Sequence, residues 1–319
     1  MSRVHDALRK AGQDKPVVNT RSNISRPVAP PPSVALPSEP VAPVQVAEPF
    51  HGGIEDMEAC IQSAASVPFT PLSDALLVNP NKPREAPAEE FRSLRTRLNH
   101  MQTVQPLHTL VVTSASPAEG KSFTAANLAL TQAQLAEHRV LLIDFDFRRP
   151  TVDKVFQIPI APGMTNYLQG TAAFSDIIRR VDGTNLYVVT AGDPVTNPLE
   201  LLNLKECSTL ISELRSNFDW VILDSPPLLF AADGNLLATM CDGTILVVRI
   251  GTTTFDSVSR ALQSLCENNV LGIVVNGARR GELYSKYSYY HDYYSYGTDR
   301  ESKDESGKEE ETDAVEAER

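Results

Sequence analysis

Long apolar runs are missing from this sequence: no stretch of its 319 residues approaches the roughly twenty needed to cross a bilayer as a helix. The start, MSRVHDALRKAG, lacks the apolar core of a secretory signal. Cysteine is scarce and scattered. Cys60, Cys207, Cys241 and Cys266 show no CxxC spacing, which argues against a disulfide framework and fits small buried thiols in a reducing cytoplasm. Basic residues are also in short supply, 29 Lys and Arg against 40 Asp and Glu for a net charge of −11. That balance disfavours a nucleic-acid partner, which a basic surface would serve. The expectation is a cytoplasmic protein that any membrane task would require a partner to hold in place.

What is present is unevenly distributed. Residues 1–12 can form a short amphipathic helix, with Val4, Ala7, Leu8 and Ala11 on one face and Gly12 to end it. Residues 13–87 carry 14 of the 23 prolines, among them Pro30-Pro31-Pro32. Such a stretch buries too little apolar surface to offset the entropy of ordering it, so it reads as a disordered, extended linker. Residues 282–319 hold a tyrosine cluster and an acidic tail. From Gly297 to Arg319 ten Asp and Glu face four Lys and Arg, about half of the whole imbalance.

Between linker and tail, residues 88–281 alternate short apolar runs with helical periodicity. The strand-like runs are Leu107–Thr113, Val140–Asp144, Leu186–Thr190, Trp220–Asp224, Thr244–Ile250 and Leu271–Asn276. They are nearly continuous in Val, Ile and Leu, the pattern of strands covered on both faces. Helical spacing marks Phe123–Ala136, Leu199–Arg215 and Asp256–Cys266. Repeated β-then-α units imply an α/β fold with a mostly parallel central sheet between helical layers.

The strongest chemical signal is the octet Ala115-Ser116-Pro117-Ala118-Glu119-Gly120-Lys121-Ser122, which follows a strand and opens a helix beginning near Phe123. That is the context of a P-loop, where backbone N–H groups converge on phosphates at a helix N-terminus. Lys121 would neutralise charge on the β- and γ-phosphates, and the Ser122 hydroxyl would reach Mg²⁺. Ala115 stands where the general pattern has Gly. Two further strands end in carboxylates: Leu141-Leu142-Ile143-Asp144, continued by Phe145-Asp146-Phe147-Arg148, and Val221-Ile222-Leu223-Asp224. Ligands of open α/β sheets sit beyond the carboxyl ends of the strands, so loop and acids point at one edge. Taken singly, an Asp after an apolar strand is an ordinary turn or N-cap; together the three motifs define a nucleotide–metal site.

These motifs resemble those of the bacterial tyrosine kinases, a P-loop family distinct from the eukaryotic kinase fold. The resemblance spans roughly Ala88 to Tyr296. Ala115–Ser122 is similar to the family's Walker A, with Ala118 in place of a Gly; Asp144-Phe145-Asp146-Phe147-Arg148 to its D-x-D-x-R box; Asp224-Ser225-Pro226-Pro227 to its Walker B. Arg148-Arg149-Pro150 and Asn197–Leu202 also look like family segments. Glu89, Arg92 and Arg95 match its E-x-x-R-x-x-R element, on a helix whose apolar stripe is Phe91, Leu94, Leu98 and Met101.

The resemblance implies a three-layer P-loop NTPase fold and ATP with Mg²⁺ bound by Ser116–Phe123. It implies Asp144 as proton acceptor that also touches the metal, Asp146 close by as a further catalytic acid, and Asp224 as a catalytic, metal-holding carboxylate. Glu89, Arg92 and Arg95 would join subunits into a homo-oligomeric ring. The implied partners are a separate transmembrane activator of capsular or extracellular polysaccharide export and a cognate phosphatase, with recruitment to the inner face of the plasma membrane.

Seven of the nine tyrosines, Tyr284, Tyr287, Tyr289, Tyr290, Tyr293, Tyr294 and Tyr296, crowd into thirteen residues among Ser, Lys, His, Asp and Gly. With no aliphatic partners and no period, the cluster is not a core element. Beside a nucleotide site it reads as a phosphoacceptor tail. Two other functions are compatible with the P-loop: a partition or cell-division-site ATPase, and an ATP-gated scaffold of an export complex. The first carries a second Lys in the loop, where this sequence has Ser116; the second is kept open by Ala115 and Ala118.

Overall fold

The computed structural model describes residues 56–70, 88–265 and 270–278. The helix expected over residues 1–12 and the tyrosine cluster lie outside these. Eight strands form one sheet: β1 (Ala65–Val67), β2 (Thr109–Ser114), β3 (Val140–Asp144), β4 (Ile178–Val181), β5 (Leu186–Val189), β6 (Trp220–Asp224), β7 (Gly243–Arg249) and β8 (Val270–Asn276). Their order is β1-β4-β5-β3-β6-β2-β7-β8. Only the β4–β5 pair is antiparallel.

The central strands β2, β3 and β6 are buried along their whole length, and their alternating side chains feed two opposite layers. Leu141, Ile143, Val221 and Leu223 join the helix Lys205–Asn217 through Leu210 and Leu214 on one face. Val140, Leu142, Trp220 and Ile222 meet the helix Lys121–Gln132 through Ala125 and Leu128 on the other. The helix Ala88–Val104 packs on that second layer with Phe91, Leu94, Leu98 and Met101, the stripe expected from its period. A P-loop NTPase fold, α/β with a mostly parallel sheet, results.

Register sets the geometry of the site. Asp144 at the end of β3 lies directly beside Asp224 at the end of β6. Asp224 in turn lies beside Val112 of β2, three residues before the P-loop begins at Ala115. The three motifs therefore share one sheet edge because three adjacent parallel strands end within two residues of one another.

The structure departs from expectation in the linker. Residues 56–70, expected to belong to an extended spacer, fold onto the sheet. Asp56 caps the helix Met57–Gln62 by accepting from Ala59 N at 2.9 Å, Met57 and Ile61 are buried in the first layer, and β1 pairs with β4. Glu58 also bonds Arg139 at 2.7 Å. Proline density obscured this piece, because between Phe50 and Val67 the prolines stop. The expected helix Leu199–Arg215 is two, Pro198–Leu202 and Lys205–Asn217. Leu204 between them has extended backbone, at φ −61° and ψ 141°.

Candidate active site

The P-loop leaves β2 at Ser114 and enters its helix at Lys121. Two residues in it have left-handed backbone: Gly120 at φ +99° and Ala118 at φ +64°. At Gly120 any side chain would be strained by the backbone angle, and a Cβ would also displace the amide of Asn276. Glu119 is buried, and its carboxylate spans the loop. One oxygen accepts from Ser116 N at 3.0 Å, the other from the Thr253 hydroxyl at 2.6 Å. The Asn276 amide donates to Glu119 O at 3.0 Å, and Arg249 Nη1 donates to Ala118 O at 3.1 Å. Residues at or just after the ends of β7 and β8 thus hold two consecutive P-loop residues, Ala118 and Glu119, from outside. Pro117 lines the adjacent cavity, as does Phe123, whose ring packs edge-on against Phe91 with centroids 6.3 Å apart.

Lys121 points along the sheet edge into a ring of acids. Its Nζ lies 2.7 Å from Asp146 Oδ2, 3.7 Å from Asp224 Oδ1 and 3.1 Å from the Ser122 hydroxyl. Burial disfavours the ammonium, but Asp224 and Asp146, with Asp144 behind them, outweigh it and hold the pKa above its ordinary value. The three carboxylates differ in their surroundings. Asp144 is sealed, with Oδ1 accepting from Asp146 N at 3.0 Å and Oδ2 from Thr151 N and Val152 N at 2.9 and 3.0 Å. It therefore shapes the loop that follows β3. Asp146 accepts from Arg149 N at 3.0 Å and turns its other oxygen to Lys121. Of the three, only Asp146 lines the cavity of about 490 Å³ beside the P-loop.

Asp224 is fully buried, and neither of its oxygens accepts a hydrogen bond of ordinary length; the Lys121 ammonium and the Ser122 hydroxyl are its nearest compensation. Burial pushes the pKa of Asp144 and of Asp224 upward, and for Asp144 the neighbouring Asp224 adds to it. Three acids around one ammonium leave an excess of negative charge, which suits a divalent cation. Among the described residues no three such side chains close on one point as a ready-made metal cage. Mg²⁺ is typically held by one or two carboxylates together with phosphates, and a buried carboxylate with unused lone pairs beside a Ser hydroxyl fits that role.

The octet, Asp144, Asp146 and Asp224 are thus brought together. Glu89, Arg92 and Arg95 are elsewhere. Arg92 pairs with Glu89 at 2.9 Å, and Arg95 donates to Thr131 O at 2.8 Å, both at the rim of a separate groove that also includes Arg180. Tyr284 to Tyr296 lie outside the described residues. Four residues without a role in the sequence reading surround the site: Arg249, Thr253 and Asn276, which grip the loop, and Asp233, which forks onto Arg148 at 2.8 and 3.2 Å. None of them belongs to a motif. Only Asn276-Gly277, as the end of the last strand, was conspicuous.

A P-loop at a helix N-terminus, its Lys among acids from adjoining strand ends, defines a nucleotide-binding protein of the P-loop class. A family model described as AAA domain matches residues 111–267. Tyrosine-protein kinase YwqD of Bacillus subtilis is 35% identical over 211 residues, 66% of this chain and 88% of that protein. Putative tyrosine-protein kinase CapB of Staphylococcus aureus is 32% identical over 66% of this chain and 92% of its own length. The kinase domain of Escherichia coli tyrosine kinase ETK superposes with a TM-score of 0.60 at 30% identity, covering 63% of this chain and 79% of that one. The chain belongs to the bacterial tyrosine-protein kinases, and its enzymatic class is that of a protein-tyrosine kinase.

Proposed function

We propose that this enzyme transfers the γ-phosphate of ATP to tyrosines of its own C-terminal cluster, Tyr284 to Tyr296, in trans within an oligomer, and thereby regulates polysaccharide polymerisation or export. The observation that carries the reading is the convergence of Lys121, Ser122, Asp146 and Asp224 at one sheet edge, in a chain of this family with seven clustered tyrosines.

In this reading, N–H groups of the loop and of the first turn of the Lys121–Gln132 helix receive the phosphates. Lys121 gives up its contact with Asp146 for the β- and γ-phosphate oxygens. Ser122 and Asp224 would hold Mg²⁺, which would supply neutralisation of phosphate charge. The phenol oxygen attacks the γ-phosphorus; the bond from oxygen to phosphorus forms as the bridge to the β-phosphate breaks, and ADP leaves with that electron pair. The phenol proton passes to a carboxylate. Asp146 suits this better than Asp144, the first choice from the sequence, because Asp144 has both oxygens occupied by backbone N–H groups while Asp146 faces the cavity.

The remaining parts of the proposal follow the family resemblance: a ring joined through Glu89, Arg92 and Arg95, a cytoplasmic kinase recruited to the membrane by a transmembrane partner, and a phosphatase that resets it. Among the described residues no helix is long and apolar enough to cross a membrane. The decisive experiment incubates the purified chain with Mg-ATP and maps phosphotyrosine by mass spectrometry. Label on Tyr284 to Tyr296, lost in Lys121→Met, is the expected result. Phosphate released without tyrosine label, or full label in Lys121→Met, would refute the reading.

A further inference from the structure

The cavity beside the P-loop has two sides of different chemistry. Gly120, Lys121 and Ser122 form the phosphate-directed side. The opposite side comes from the segments after β3 and β6, Val155 of the helix Val152–Phe156 among them, and is apolar and cationic. Phe230 stands on it 67% exposed. Pro227 and Val155 continue the apolar surface, and Arg148 and Arg149 flank it. Asp146 borders both sides.

The two arginines differ. Arg148 is clamped through Nε and Nη2 by the buried Asp233, so its position is fixed. Arg149 is exposed and has no ion pair among the described residues; its backbone N–H, bonded to Asp146 Oδ1 at 3.0 Å, ties it to the acid at the cavity floor. An apolar surface that ends at a carboxylate and carries a free cation at its rim matches an aromatic side chain with a hydroxyl tip and acidic neighbours. The chain contains such a sequence: Tyr293 and Tyr294 follow Asp292, and Asp299 and Glu301 come shortly after Tyr296.

We propose that this surface is the acceptor subsite, where a tyrosine ring packs on Phe230 between Pro227 and Val155 and directs its hydroxyl to Asp146. Arg149 selects acidic residues beside that tyrosine. The inference rests on the tyrosine-acceptor reading above and adds the residues that choose the acceptor. Apolar contact with an exposed aromatic makes affinity for the ring depend on Phe230. A lone exposed cation adds little affinity but discriminates by charge.

The test uses the full chain, γ-labelled ATP and two synthetic peptides. One copies residues 289–301; in the other, Asp292, Asp299 and Glu301 are replaced by Lys. Phe230→Ala should raise KM for the first peptide about tenfold while KM for ATP stays constant, and Phe230→Trp should restore it. Arg149→Glu should reverse the preference between the two peptides. Both positions are exposed, so an unchanged thermal midpoint is expected to accompany these effects. If Phe230→Ala instead raises KM for ATP and spares the peptide, the surface holds nucleotide and the inference is wrong. Unaltered peptide kinetics in both variants would refute it equally. Should the wild-type chain label neither its own tyrosines nor the peptides, the acceptor reading itself fails and takes the subsite with it.

Discussion

Ala118 sits at φ +64°, where the Cβ of an L-residue crowds its own backbone at a cost of about 1–2 kcal/mol. The neighbouring Gly120, at +99°, has no such penalty. Ala118 is held in this conformation from outside, by Arg249 on its carbonyl. Ala118→Gly should therefore relieve about 1–2 kcal/mol of local strain, and after the larger entropy of the unfolded glycine stabilise the chain by about 1 kcal/mol net. A rise of about 2–4 °C in thermal midpoint is the expected reading. The two acids of the D-x-D-x-R box permit a sharper separation. Asp144 accepts three backbone N–H groups, so Asp144→Ala leaves buried donors unpaired at about 1–3 kcal/mol each. It should lower stability as well as activity. Asp146→Asn keeps the shape and one acceptor oxygen but loses the base, and should cut tyrosine labelling at least about a hundredfold. Chemical denaturation beside a labelling assay distinguishes the two: a stable, inactive Asp144→Ala would reverse the proposed roles.

At the scale of elements, the brace from β7 and β8 makes its own prediction. Asn276, Thr253 and Arg249 bond consecutive residues of the P-loop, so the loop is set by strands that never touch the acids of β3 and β6. Asn276→Ala removes one hydrogen bond, worth about 1 kcal/mol, and opens space beside Gly120. ATP affinity should fall about fivefold, measured with a fluorescent nucleotide. Adding Thr253→Val should cost less than the sum of the separate effects, because both act on Glu119. The brace was illegible in the sequence, since it joins residues more than 130 positions apart through ordinary side chains. By contrast β2, β3 and β6 were legible almost to the residue: strands buried on both faces leave an uninterrupted apolar run, and each ends at a motif. The outer strands β1 and β4, at one side of the sheet, were not. Ala65–Val67 has three residues, and Ile178–Val181 carries two arginines, so neither offers an apolar run or a clear alternation. The helix Met57–Gln62 was hidden in the proline-rich zone for a related reason, its two buried residues being too few to raise a period. Ile61 nevertheless lies in the core. Ile61→Ala should cost about 2–4 kcal/mol in urea unfolding, whereas Glu58→Ala, which breaks a half-exposed pair with Arg139, should cost under about 1 kcal/mol.

For the whole molecule the governing quantity is charge. The chain is at −11 before any reaction, and the segment from Gly297 to Arg319 contributes more than half of it. Each phosphotyrosine adds about −1.5 to −2, so several on one tail approach the charge of the entire unmodified protein. If unmodified tails enter a neighbour's site, modified ones meet a cavity lined by Asp146, with Asp144 and Asp224 buried behind it, and are repelled. Self-association should then weaken as labelling proceeds, and more steeply at low salt, because screening shortens the reach of such repulsion to about 8–10 Å at physiological ionic strength. Mass photometry on the full chain before and after Mg-ATP, at two salt concentrations, tests this. The expected outcome is a shift to smaller species that a tyrosine phosphatase reverses. Glu89, Arg92 and Arg95 supply the independent control. Arg92 already has Glu89 as a partner and Arg95 has Thr131 O, so a subunit contact through them must exchange or extend those bonds. Arg92→Glu should disperse the assembly without Mg-ATP and leave the catalytic acids untouched. Assemblies that persist in Arg92→Glu, yet still dissolve on phosphorylation, would locate the subunit contact away from this helix and keep the electrostatic switch.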